Sequence, residues 1–70
     1  MLTATHNSIE FEIVLDKPEV GVYLYVYENG RCVRDELQND VETCKDVAFE
    51  DYGVSKDSWK GNVTGSAESR

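Results

Sequence analysis

From Ser8 to Asp16 the side chains alternate, with Ile9, Phe11, Ile13 and Leu15 on one side and Glu10, Glu12, Val14 and Asp16 on the other. A period of two marks a strand with one face buried. Lys17-Pro18-Glu19-Val20-Gly21 interrupts it. The proline cannot donate to a ladder and the glycine tolerates positive φ, so the chain turns here and returns as a hairpin. The returning segment, Val22-Tyr23-Leu24-Tyr25-Val26-Tyr27, is rich in β-favouring residues and sorts three aliphatic side chains from three tyrosines. Asn29-Gly30 follows, a strong hairpin signal because both residues accept the backbone of a type I′ turn. Arg31 to Arg34 is therefore expected as a third, shorter strand.

The period changes at Asp35. Leu37, Val41, Cys44, Ala48 and Tyr52 recur at steps of four, three, four and four, which places them on one stripe of a helix. Asp35-Glu36-Leu37-Gln38 and Asn39-Asp40-Val41-Glu42 both suit a capping box, so the helix start is open by a turn. Gly53 suits the left-handed position after the last turn, and Val54 is expected to fold back in a Schellman-type cap. Ser55-Lys56-Asp57-Ser58 reads as a turn, and Trp59 as the last large apolar side chain, docked at the core edge.

The expected fold class is α+β. A small antiparallel three-stranded sheet, with a short fourth strand near Trp59 as an option, carries one amphipathic helix on one face, in the order β-β-β-α(-β). Residues 1–7 are expected as a flexible leader, 8–59 as a single domain and 60–70 as a disordered tail. That tail holds only Val63 and Ala67 as apolar residues, too little to offset ordering entropy. Burial of roughly a dozen apolar side chains at ~1.5–3 kcal/mol each predicts modest stability.

Charge narrows the function classes. With 14 acids against 7 bases the net charge is -7. Binding to a phosphate backbone depends on Lys and Arg, so nucleic acid is a poor ligand, and anionic membrane surfaces would repel the chain. The first ten residues have no basic segment followed by an apolar one, and a cytoplasmic location is expected. Cys32 and Cys44, twelve apart, match no zinc or redox spacing, and the sole histidine is His6. Cys44 is expected as a small buried helix residue. A Cys32 to Cys44 disulfide would need Cα atoms within ~7 Å and an oxidising compartment.

The residues offer no nucleophile paired with a base, no glycine-rich phosphate loop and no metal motif. We therefore expect no enzymatic activity, no catalytic residues, no cofactor and no metal. Asp35, Glu36 and Asp40 are the one cluster weighed as a weak divalent-cation site, and they read more simply as helix-capping carboxylates.

Two surfaces remain as candidate partner-binding sites. If Ile9, Phe11, Ile13 and Leu15 face the helix, then Tyr23, Tyr25 and Tyr27 lie on the opposite sheet face beside Glu10 and Glu12. Such a surface is either solvated strand filler or an interface. On the helix, Glu42, Asp46 and Glu50 fall at successive i, i+4 positions opposite the buried stripe. They form either a solubilising face or an electrostatic ridge for a basic partner. The expected function is a small acidic protein-binding module acting through one or both surfaces. The alternatives are an accessory protein whose role is homo-oligomerisation, as a homodimer through the tyrosine face, and an inhibitor, immunity-type or nucleic-acid-mimic protein that docks a basic partner.

Overall fold

The computed structural model describes residues 1–17 and 20–61 of the chain. Five strands form one antiparallel sheet: β1 (Leu2–His6), β2 (Ile9–Leu15), β3 (Val22–Glu28), β4 (Arg31–Gln38) and β5 (Lys60–Gly61). The spatial order is β4-β3-β2-β1-β5. One helix, α1 (Val41–Tyr52), and a short 3-10 helix, Lys56–Ser58, lie between β4 and β5. The class is α+β with five strands where three or four were expected.

The first extra strand lies in the segment read as a flexible leader. Leu2–His6 pairs along its length with β2, from Leu2 opposite Ile13 to His6 opposite Ile9. Leu2 and Ala4 are buried in the core, and this burial orders the segment. The turn between β1 and β2 is Asn7-Ser8, both with positive φ (52° and 67°), a type I′ geometry built without glycine. The second extra strand, β5, is two residues long and follows Trp59 directly, pairing Lys60 with Thr3 and Gly61 with Leu2. A short strand therefore does join the sheet near Trp59. Of the expected disordered tail, Lys60 and Gly61 belong to this strand, and residues 62–70 lie outside the described residues, as do Pro18 and Glu19 of the expected β2–β3 turn.

β4 is also longer than expected, and the helix starts later. The Asn29-Gly30 turn sends the chain back along all of β3, and Val22 at its far end pairs with Gln38. Asp35 to Gln38 are thus strand rather than the first helical turn, and Leu37 leaves the helix stripe to stand 51% exposed on β4. The N-cap is Asp40. Its Oδ1 accepts from the Thr43 backbone N–H at 2.8 Å and from the Thr43 hydroxyl at 2.7 Å. These donors hold the Asp40 carboxyl below its ordinary value. The N-cap position thus falls one residue later than in the expected Asn39 box.

At the other end Gly53 adopts φ 81°, ψ 17°, and its N–H donates to the Phe49 carbonyl at 2.9 Å. This 5→1 bond is the simpler left-handed cap rather than the Schellman pattern. Val54 then donates to Ala48 O at 3.2 Å and buries its side chain completely, so the expected fold-back of Val54 does occur.

The core lies between the sheet and α1. Leu2, Ala4, Phe11, Ile13, Val22, Leu24 and Val26 from the strands meet Cys44 and Ala48 of the helix and Val54 beyond it. Phe11 sits at its centre, edge-on to Tyr52 at 5.1 Å and to Trp59 at 6.3 Å between ring centroids. Leu15, expected within this row, is 40% exposed at the end of β2. Both cysteines are free. Cys32 is exposed on β4 and Cys44 is buried on α1 beneath Val22, whose carbonyl lies 3.9 Å from its Sγ. Among the described residues no helix is long and apolar enough to cross a membrane.

Candidate functional site

The ladder registers assign every strand residue to a face. Tyr25 stands between Glu12 on β2 and Asp35 on β4, and Glu12 in turn pairs with Thr3 on β1. Tyr27 stands between Glu10 and Cys32, and Tyr23 between Val14 and Leu37. These residues alternate with the buried set, so all of them lie on the face away from α1. No element among the described residues covers that face.

The three tyrosines form a row rather than three separate rings. Tyr23 and Tyr25 stack with centroids 5.7 Å apart and planes 16° apart, and Tyr25 and Tyr27 follow at 6.4 Å and 36°. Each ring is half-buried by its neighbours. The Tyr27 hydroxyl donates diagonally across the ladder to Glu12 Oε1 at 3.3 Å. Desolvation raises the pKa of Tyr25 first, and Tyr23 and Asp35 add to it. For Tyr27 desolvation again leads, with Glu12 next. Both phenols are thus neutral donors at neutral pH.

The row runs from an apolar end to an acidic one. Val14 and Leu37 bracket Tyr23, whereas Glu12 and Asp35 flank Tyr25 and Glu10 lies beside Tyr27. By register the one basic strand residue on this face among the described residues is Lys60, at the far sheet edge beyond Thr3. Glu10 and Glu12 therefore join the tyrosines as expected from the sequence. Asp35, Leu37 and Cys32 belong to the same surface and were missed, because the sequence period assigned Asp35 and Leu37 to the helix. The signal that reaches them is strand length: a tight turn after a seven-residue strand pairs an equally long return. β4 also carries a bulge, where the register shifts between Val26 and Tyr27 and leaves Val33 as the extra residue, 52% exposed.

Glu42, Asp46 and Glu50 lie on the helix, on the opposite side of the sheet from the tyrosines. The two candidate surfaces cannot meet one partner face together. The acidic ridge is also interrupted, because Lys56 Nζ contacts Asp46 Oδ1 at 2.5 Å. Asp46 is the middle one of the three. Phe49, 53% exposed on the same helix, is a further side chain the sequence pattern did not single out.

Asp35, Glu36 and Asp40 do not converge. Asp35 faces the tyrosines, Glu36 pairs with Arg34 on the helix side and Asp40 caps α1. No group of three His, Cys, Asp or Glu able to hold a metal ion occurs among the described residues. A shallow cleft at the β1 edge is lined by Thr3, Ala4, Thr5, Ser58 and Lys60, which supplies hydroxyls and one amine but no acid and base in contact. No family model, curated protein or solved structure matches the chain.

Proposed function

We propose that this chain acts by protein contact through the sheet face that carries Tyr23, Tyr25 and Tyr27. The observation that carries this reading is the row of three tyrosines, stacked at Tyr23–Tyr25 and tilted at Tyr25–Tyr27, with Leu37 and Val14 at one end, on a face with no cover among the described residues. Tyrosine is enriched at protein interfaces because a rigid ring with a polar tip offers contact area at low entropic cost. The edge of the same sheet is a weaker docking site. β4 is interrupted by the Val33 bulge and carries Arg31, Arg34, Asp35 and Glu36, features that discourage strand addition.

The acidic helix back ranks second as a docking ridge, since its middle carboxylate is already paired with Lys56. Homo-oligomerisation is also the weaker reading, because two copies meeting face to face would bring two sets of Glu10, Glu12 and Asp35 into one contact with no base beside them in the ladder. Affinity capture from cells with the wild-type chain, a Tyr25→Ser variant and a Glu42→Gln/Glu50→Gln variant distinguishes these. A protein retained by the helix variant and lost by Tyr25→Ser supports the face. Retention by Tyr25→Ser with loss by the helix variant would overturn it.

A further inference from the structure

We infer that the occupant of the tyrosine face is a protein segment that presents two cationic side chains, best arginine, in line on one side, with an apolar residue at one end. The inference rests on the face being an interface. It adds the chemistry of the partner.

Three observations lead to it. The first is charge. The rings of Tyr25 and Tyr27 lie among Glu10, Glu12 and Asp35, and no basic residue stands beside them in the ladder. Stacking turns the ring faces toward one another, so a partner meets ring edges and hydroxyls, and the attraction for a cation comes from the three carboxylates with the phenol oxygens as further acceptors. Arginine suits this environment better than lysine, because its forked N–H donors can reach a carboxylate and a phenol oxygen together.

The second is pitch. Ring centroids along β3 are 5.7 and 6.4 Å apart. Same-side residues of an extended chain recur every ~6.6–6.8 Å, so a strand lying along β3 keeps step with the row over three positions. Residues four apart on one face of a helix recur every ~6 Å, so a helical segment keeps the same step, and the row asks only for side chains presented in line at this spacing.

The third is polarity along the row. The Tyr23 end is bounded by Val14 and Leu37, which favour an apolar contact, and the Tyr25 and Tyr27 positions are bounded by carboxylates. The occupant is therefore apolar at one position and cationic at the next two on the same side. The same acids disfavour a second copy and a nucleic-acid strand, whose phosphates they would repel.

The test is an NMR titration of the full chain with a synthetic peptide bearing Leu-Thr-Arg-Thr-Arg, and with the same peptide carrying glutamine in place of both arginines. Shifts centred on Tyr23, Tyr25, Tyr27, Glu12, Asp35 and Leu37, with affinity about tenfold lower for the glutamine peptide, support the inference. A Glu12→Gln/Asp35→Asn variant leaves the rings in place and is expected to weaken the arginine peptide several-fold while leaving the glutamine peptide unchanged. Equal binding of both peptides at this face overturns the cationic partner and leaves the interface reading standing. Shifts confined to Glu42, Asp46 and Glu50 overturn both, and no shifts at all overturn the cationic segment, the interface reading being decided by the capture of the Tyr25→Ser variant. Stronger binding at the same face by a single-stranded RNA oligonucleotide, or self-association that occupies the face, overturns the cationic segment alone.

Discussion

The guanidinium carbon of Arg34 lies 5.7 Å from the centroid of the Tyr52 ring, so an edge strand and the last turn of the helix are joined by one side chain. The same guanidinium pairs with Glu36 on its own strand and with Asp51 Oδ2 at 2.8 Å on the helix. Its pKa is raised, with the contact to Tyr52 as the leading cause and Asp51 and Glu36 adding, against an opposing effect of burial. The last turn of α1 contains no basic residue of its own. Arg34 therefore brings a positive charge to the negative end of the helix dipole from another element.

Replacement of Arg34 tests this junction. Arg34→Lys keeps the charge but gives up the planar contact and the forked donors, and we expect a loss of ~1 kcal/mol. Arg34→Met keeps the apolar stem and removes the charge that Asp51 and Glu36 share, with an expected loss of ~1–2 kcal/mol. Urea unfolding midpoints at constant slope measure both. An unchanged midpoint in Arg34→Met would show that the three contacts contribute nothing net.

The N-terminal strand makes a second prediction. Leu2 is 5% exposed within the core, while Thr3, one residue on, lies on the open face. We expect Leu2→Ala to cost ~2–3 kcal/mol and Thr3→Ala to stay within ~0.5 kcal/mol. Chemical denaturation of the two variants checks the contrast. Equal, negligible effects would mean that residues 2–6 contribute no burial.

Part of the fold was legible because hydrophobic period and turn chemistry agreed. Ile9 to Leu15 and Val22 to Tyr27 alternate over long runs, Asn29-Gly30 marks their neighbour's turn, and Gly53 marks the helix end. β1 was not legible because only Leu2 and Ala4 are apolar in it and its turn lacks glycine. The end of β4 was not legible because Leu37 stands four residues before Val41 and so extends a helical stripe by coincidence. On β4 the residues opposite Val22, Leu24 and Val26 are Gln38, Glu36 and Arg34, at the rim of the helix-covered face, so the strand has no apolar alternation to read. The tyrosine face followed from sequence because β3 alternates without exception. Its acidic partner Asp35 did not, because it sits on the strand that was cut short.

The missing glycine in the first hairpin has a measurable consequence. Ser8 adopts φ 67°, a left-handed conformation that L residues other than Asn and Asp rarely occupy. Ser8→Gly would convert Asn7-Ser8 into the Asn-Gly pair favoured in this turn. Ser8 is exposed, so its side chain gives up no burial. We expect a gain of ~0.5–1 kcal/mol, offset in part by the extra freedom of glycine in the unfolded chain. Thermal unfolding should rise accordingly, and a lower midpoint would show that the hydroxyl contributes more than the backbone strain costs.

The two cysteines should differ sharply in reactivity, and the buried one should set an alkaline limit on stability. Burial pushes the Cys44 thiol up to about 11 from its ordinary 9.0, with Asp40 and Glu36 adding to the shift. Cys32 is exposed, so a thiol reagent should label one site per folded molecule quickly and Cys44 only when the core opens. The linkage runs in one direction. Above about pH 9 the unfolded chain releases the Cys44 proton while the folded chain retains it, so stability falls as pH rises and levels off only above about pH 11. Cys44→Ala removes the titrating group at a modest cost in packing, and its stability should be flatter over that window than that of the wild type. Parallel urea titrations between pH 8 and pH 11 measure the difference in slope. Identical slopes would mean that Cys44 ionises as freely in the folded chain as in the unfolded one.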